Sequence, residues 1–160
     1  LVAGQYQALR VVHATRDNGL TLARELPDKA ASEKTQAGIR DSATARQTQL
    51  HYAFVARLAA ELTPAQVDQI KDGMTYGVAP NTFRVYQEML PNLTADQKTQ
   101  ILAWLTEARE HAMDASTSDE KHAWFGKYKG RINNYLAKAG IDMKQAEKDM
   151  FARKKAKQDK

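Results

Sequence analysis

Two short segments, thirty-one residues apart, fix where helices begin: Leu62-Thr63-Pro64-Ala65-Gln66 and Leu93-Thr94-Ala95-Asp96-Gln97. In each, the threonine hydroxyl can accept from the third helical N–H while the glutamine reaches back to the threonine's own N–H. Pro64 at the first helical position and a Leu62/Val67 staple strengthen the first copy. A third capping box, Thr117-Ser118-Asp119-Glu120, and a capping Asp142 place two more helix starts. With only four prolines and eight glycines in 160 residues, and β-branched residues scattered, long helices are the expectation and strands have no home.

The spacing of apolar residues predicts six or seven helices in an all-α, compact helical bundle forming a single domain over residues 1–160. Helix one runs from the start to about Asp17, ending at Asn18-Gly19, with Leu20 to Pro27 as connector. The longest helix covers about Asp28 to Glu61. Its first half carries few large side chains and is expected to project, fray or pack only through alanines. Short helices follow at Pro64–Gly73 and about Asn81–Met89, separated by an irregular Thr75–Asn81 link. Longer ones span Ala95 to about Ala115 and Ser118 to Gly140, and a last helix enters a basic tail. Identities between the two cassettes (Leu62/Leu93, Thr63/Thr94, Gln66/Gln97, Gln69/Gln100, Ile70/Ile101) fit either a duplicated unit or two helices capped alike.

The formal charge of +5 is concentrated at one end. From Lys144 onward, seven basic residues (Lys144, Lys148, Arg153, Lys154, Lys155, Lys157, Lys160) face three acidic ones (Glu147, Asp149, Asp159). Phe151 is the single aromatic among them, so the tail reads as a solvated helix end, open to fraying, over 144–160. No nucleic-acid partner is expected. Cysteine is absent, which removes thiol catalysis, disulfides and Cys-based zinc sites. No His-Glu-x-x-His arrangement occurs, and neither a metal nor a cofactor is expected. No segment has the length and polarity of a membrane span. The chain opens without methionine in what reads as the middle of an amphipathic helix, Leu1-Val2-Ala3-Gly4-Gln5-Tyr6, as if an upstream piece were missing.

Two stripes carry chemistry. On helix 95–115, Trp104, Glu107, His111 and Asp114 fall at spacings of three, four and three, beside an apolar stripe of Ile101, Leu105, Ala108 and Ala112. Glu107, His111 and Asp114 could act as an acid/base set, with Glu110 and His122 as further members; they equally suit ordinary surface helix pairs. On helix 118–139, Phe125, Ile132 and Leu136 form a core face with Tyr128 or Tyr135 at its margin. Gly126 and Gly130, one turn apart, would let a helix or ligand approach the backbone closely. Trp124, Lys127, Arg131 and Asn134, with Tyr128 alongside, present an apolar platform followed by fixed donors, which suits a sugar ring or an acidic sugar. A peptide partner fits nearly as well, and a core-edge tryptophan with solvated cations is the plain alternative.

Asp72-Gly73-Met74-Thr75-Tyr76-Gly77, Ile101-Leu102-Ala103-Trp104-Leu105 with Glu107-Ala108-Arg109-Glu110, and the long block from Lys121 to Leu136 together resemble an uncharacterised helical family, domain of unknown function 3826. The resemblance is weakest before residue 50 and after 140, and it brings no catalytic residues with it. It implies an exported protein, periplasmic or extracellular, among bacteria that degrade plant and algal polysaccharides, with an oligosaccharide or a glycan-processing protein as partner. The leading expectation is thus a non-enzymatic carbohydrate-binding accessory. A sugar-active hydrolase or lyase using a His/carboxylate pair is the second expectation. A third comes from the weaker likeness of the two Leu-Thr-x-x-Gln cassettes to periplasmic stress chaperones, and implies a dimeric cradle or adaptor.

Overall fold

The computed structural model describes residues 1–159, and among them there are seven helices and no strand. They are α1 (Val2–Arg24), α2 (Lys29–Glu61), α3 (Pro64–Met74), α4 (Val78–Met89), α5 (Ala95–Ala112), α6 (Ser118–Lys138) and α7 (Met143–Gln158). The all-α helical bundle expected from the sequence is what forms, with α2 the long helix. Contacts divide the chain into two compact units, Leu1–Asp68 and the remainder from Gln69, with α3 running across the division. No helix among the described residues is long and apolar enough to cross a membrane.

The caps set the frame. Thr94 Oγ1 accepts from Gln97 N at 3.1 Å and Gln97 Oε1 accepts from Thr94 N at 3.0 Å. Thr63 and Gln66 repeat the arrangement at 3.3 and 3.0 Å. The shared Leu-Thr-x-x-Gln pattern therefore starts helices of quite different length, 11 and 18 residues. At α6, Thr117 accepts from Glu120 N, but the Glu120 carboxylate reaches one residue further back, to Ser116 N at 2.9 Å. Asp28 and Asp142 cap α2 and α7.

In the first unit, α1 does not stop at Asn18-Gly19 but continues to Arg24. The missing side chain of Gly19 is the reason: a Cβ there would sit 3.3 Å from Ile39 Cδ1, so glycine lets α2 lie close. Leu20 and Ala23 then extend the buried face, and Ser32 Oγ donates to Ala23 O at 2.7 Å. The first half of α2 is thus tied to α1 rather than frayed. Between Ser32 and Phe54, however, α2 has no buried residue, which its thin supply of large apolar side chains foretold.

In the second unit, the core joins α4, α5 and α6: Tyr86 and Leu90, Ile101, Leu105, Ala108 and Ala112, Phe125, Tyr128, Ile132 and Leu136. α4 begins earlier than expected, at Val78, because Pro80 occupies its first turn, where the missing N–H has no helical partner to lose. α5 ends at Ala112, short of Ala115. α6 closes on Gly140 (φ 85°), with Ile141 N donating to Leu136 O and Gly140 N to Ala137 O. The basic tail is not frayed but helical to Gln158. Arg153 donates to the terminal carbonyl of Glu88 at 2.8 Å, and Lys154 pairs with the Glu88 carboxylate at 3.2 Å, fastening α7 to the end of α4.

Burial pushes the Tyr86 hydroxyl up to about 12. An unfolded tyrosine ionises near 10, so below that pH both states are protonated and the residue adds no pH dependence. Between about pH 10 and 12 the unfolded chain ionises while the folded one does not, and stability falls by about 2–3 kcal/mol. Chemical denaturation across this range should show the loss, and Tyr86→Phe should flatten it.

Candidate functional site

The two stripes picked out in the sequence converge. α5 and α6 pack side by side, and because Trp104 meets Tyr135 while His111 meets Trp124, they run antiparallel. Along their shared outer edge lies a belt of rings and charges. His111 stacks on Trp124 with centroids 4.3 Å apart and planes 15° from parallel, and lies 6.3 Å from Tyr128. Lys127 Nζ stands 5.1 Å from the Trp124 centroid. The Arg131 guanidinium is 4.6 Å from the Tyr128 ring and 5.9 Å from that of Trp104, which meets Tyr135 edge-on at 5.3 Å.

The belt has two layers. Trp104, Trp124 and Tyr135 are half-buried and Tyr128 is buried, since their other edges pack on the core. Glu107, His111, Lys127 and Arg131 are exposed above them. Trp124 is therefore not a bare platform, as the sequence suggested, but a support carrying His111 and Lys127. Cations over ring faces gain about 0.5–1 kcal/mol at exposed sites, enough to bias their rotamers. The Glu107 carboxylate neighbours the Tyr128 hydroxyl. Burial raises the Tyr128 pKa first, and the Glu107 hydrogen bond and charge add to it, against the lowering effect of Arg131. Tyr128 consequently stays protonated and serves as a donor, not a base.

The remaining residues from the sequence are placed differently. Asn134 is exposed on α6, three residues beyond Arg131. Asp114 lies past the end of α5 and is buried, which separates it from the exposed Glu107 and His111. His122 stacks on Tyr76, centroids 5.5 Å apart, so the two imidazoles next to the α5–α6 turn have different partners. No group of three or more His, Cys, Asp or Glu side chains able to hold a metal occurs among the described residues.

Gly126 and Gly130 do not admit another part of the protein: a Cβ at either would meet nothing within 4 Å. Both are exposed and in mid-helix. Gly126→Ala and Gly130→Ala are each expected to stabilise the fold by about 1 kcal/mol, read as a higher denaturation midpoint at unchanged slope.

Sequence reasoning missed an ionic quartet beside the belt. Lys71 and Asp72, adjacent on α3, face Glu110 and Arg109, adjacent on α5: Lys71 Nζ lies 2.5 Å from Glu110 Oε1, and Arg109 donates to Asp72 Oδ1 at 2.9 Å. The complementary dipeptides Lys-Asp and Arg-Glu were the available signal. Next to it, buried Lys121 donates to Met74 O at 2.8 Å and Thr75 Oγ1 donates to Lys71 O. These bonds hold a sharp reversal in which Tyr76 (φ 59°) and Gly77 (φ 66°) are both left-handed. For tyrosine that conformation costs about 1–2 kcal/mol. Tyr76 is 58% exposed, its ring against His122 and 5.5 Å from the Lys121 ammonium.

A separate groove of about 420 Å³ lies where α4, α6 and α7 meet. Among curated proteins no match to the chain is found. The model of one family, described as "Protein of unknown function (DUF3826)", matches residues 1–156.

Proposed function

The chain belongs to the DUF3826 family, and we propose that it is a non-enzymatic binding protein that takes an acidic oligosaccharide on the α5–α6 belt. The observation that supports this most is the paired layering of Arg131 on Tyr128 and His111 on Trp124, with Lys127 over the same indole and Glu107 beside Tyr128. A charged sugar has carboxylates for Arg131 and Lys127, hydroxyls for Glu107 and His111, and an apolar C–H face for exposed ring edges. Because the supporting rings are seated in the core, the donors are held in place before a ligand arrives, which lowers the ordering cost of binding. The setting we propose is that of an exported protein, periplasmic or extracellular, accessory to polysaccharide breakdown.

Calorimetric titration with a panel of neutral and acidic oligosaccharides tests the reading. Acidic members should bind more tightly, and more weakly as salt rises. Arg131→Ala should reduce that affinity by about 10-fold or more, since hydrogen bonds to a charged group contribute about 1.5–3 kcal/mol. Unchanged affinity in both Arg131→Ala and Trp124→Ala would remove the belt as the site.

A second reading, a sugar-active enzyme, draws on the meeting of Glu107, His111 and Tyr128. There His111 would move the proton, since Tyr128 is held protonated. Mass spectrometry of the titrated mixtures separates the two: altered sugar, lost in His111→Ala, would favour the enzyme.

A further inference from the structure

The groove between α4, α6 and α7 shares no residue with the belt, and donors predominate in its polar lining. Two carboxamides contribute, Asn81 from α4 and Asn133 from α6. In both, the carbonyl oxygen is already taken. Asn81 Oδ1 accepts from Arg84 at 2.7 Å, and Asn133 Oδ1 accepts from the buried Tyr86 hydroxyl at 2.7 Å. What each amide keeps for a ligand is its NH2 group, a double donor. Lys129 and Lys144 add two ammonium groups to the same lining, and neither has an ion-pair partner among the described residues. Against these donors there is one carboxylate, Glu147. Val85, Met89 and Met143 supply an apolar wall.

A lining of four donor groups, the Thr82 hydroxyl, which can donate or accept, and one carboxylate asks for a ligand rich in acceptor oxygens, carrying one negative charge, with at least one hydroxyl to donate to Glu147. A volume of about 420 Å³ falls within the range of about 300–1,000 Å³ typical of small-molecule pockets, towards its lower end. We propose that this groove binds a small polyhydroxylated carboxylate of the size of a single sugar acid. The carboxylate pairs with Lys129 and Lys144, hydroxyl oxygens on the ring take the amide protons of Asn81 and Asn133, and a further hydroxyl donates to Glu147. Tyr86 acts through Asn133, fixing which end of that amide faces the ligand.

The inference stands independently of the belt, and its test is built to keep the two apart. The full chain, isotope-labelled, is titrated with glucuronate, glucose and acetate while the side-chain amide signals of Asn81 and Asn133 are followed. Glucuronate is expected to shift both saturably, with glucose and acetate each at least 10-fold weaker, because one lacks the charge and the other the hydroxyls. Lys129→Gln combined with Lys144→Gln, both surface changes, should weaken glucuronate at least 10-fold. Trp124→Ala should leave it unaltered. Tyr86→Phe, which releases the Asn133 carbonyl, should weaken it several-fold while the Asn81 signal still responds. The proposal is overturned if glucuronate moves neither amide, if acetate matches it, if the double lysine variant binds as the wild type does, or if Trp124→Ala abolishes the shifts.

Discussion

Phe125→Ala is expected to cost about 3–5 kcal/mol of folding stability, a large part of what a domain of this size possesses. Phe125 is 1% exposed at the centre of the α4–α5–α6 core, one residue after Trp124 on the same helix. Removing the ring forfeits its transfer free energy and leaves a cavity between helices that cannot close without moving α6. Urea denaturation followed by far-ultraviolet circular dichroism should show the midpoint falling with little change in slope. Since Trp124 and Tyr128 stand on that part of α6, the proposed ligand binding at the belt should weaken before the helices melt.

Arg109→Ala should cost about 3 kcal/mol, for an electrostatic reason rather than a packing one. Arg109 is 7% exposed and pairs with Asp72, while Lys71 pairs with Glu110 in the same cluster. Deleting the guanidinium leaves a half-buried carboxylate without its main partner, which is far worse than replacing both members of such a pair. Arg109→Ala with Asp72→Ala should therefore be less damaging than the sum of the two, with a coupling of about 1–3 kcal/mol in a double-mutant cycle. Additive losses would mean that the two residues act separately.

Capping chemistry made the helix starts legible. A threonine with glutamine three residues later satisfies two orphan N–H groups wherever it occurs, so local sequence sufficed at Thr63 and Thr94. The core face of α6 was equally plain from the spacing of Phe125, Ile132 and Leu136. Helix ends were less so. Asn18-Gly19 looked like a stop, and only the approach of Ile39 reveals why glycine sits inside α1. Both stripes of the belt could be read separately, yet their convergence could not, because it depends on how α5 and α6 are rotated about their axes. The quartet stayed hidden for a related reason. Charged residues at surface-like spacing give no sign of burial until a second helix with the same basic–acidic order lies against them in the opposite sense, so that Lys71 meets Glu110 and Asp72 meets Arg109. Asp114 was misplaced by a single turn, and that turn took it from the exposed face into the interior.

The way α7 is fastened sets an order in which the molecule opens. Over its 16 residues one side chain, Met150, is buried, and its anchoring to α4 relies on Arg153 and Lys154 near the far end. Regions with few buried contacts unfold locally at free energies well below the global value. Amide hydrogens of α7 should thus exchange with solvent orders of magnitude faster than those of α5 and α6, and faster still at high salt, which screens the Lys154–Glu88 pair. Met143, Lys144 and Glu147 form one wall of the α4–α6–α7 groove and leave with the helix. Any molecule bound there should slow the exchange of α7 in proportion to its occupancy, making the C-terminal helix a clock for the state of the groove.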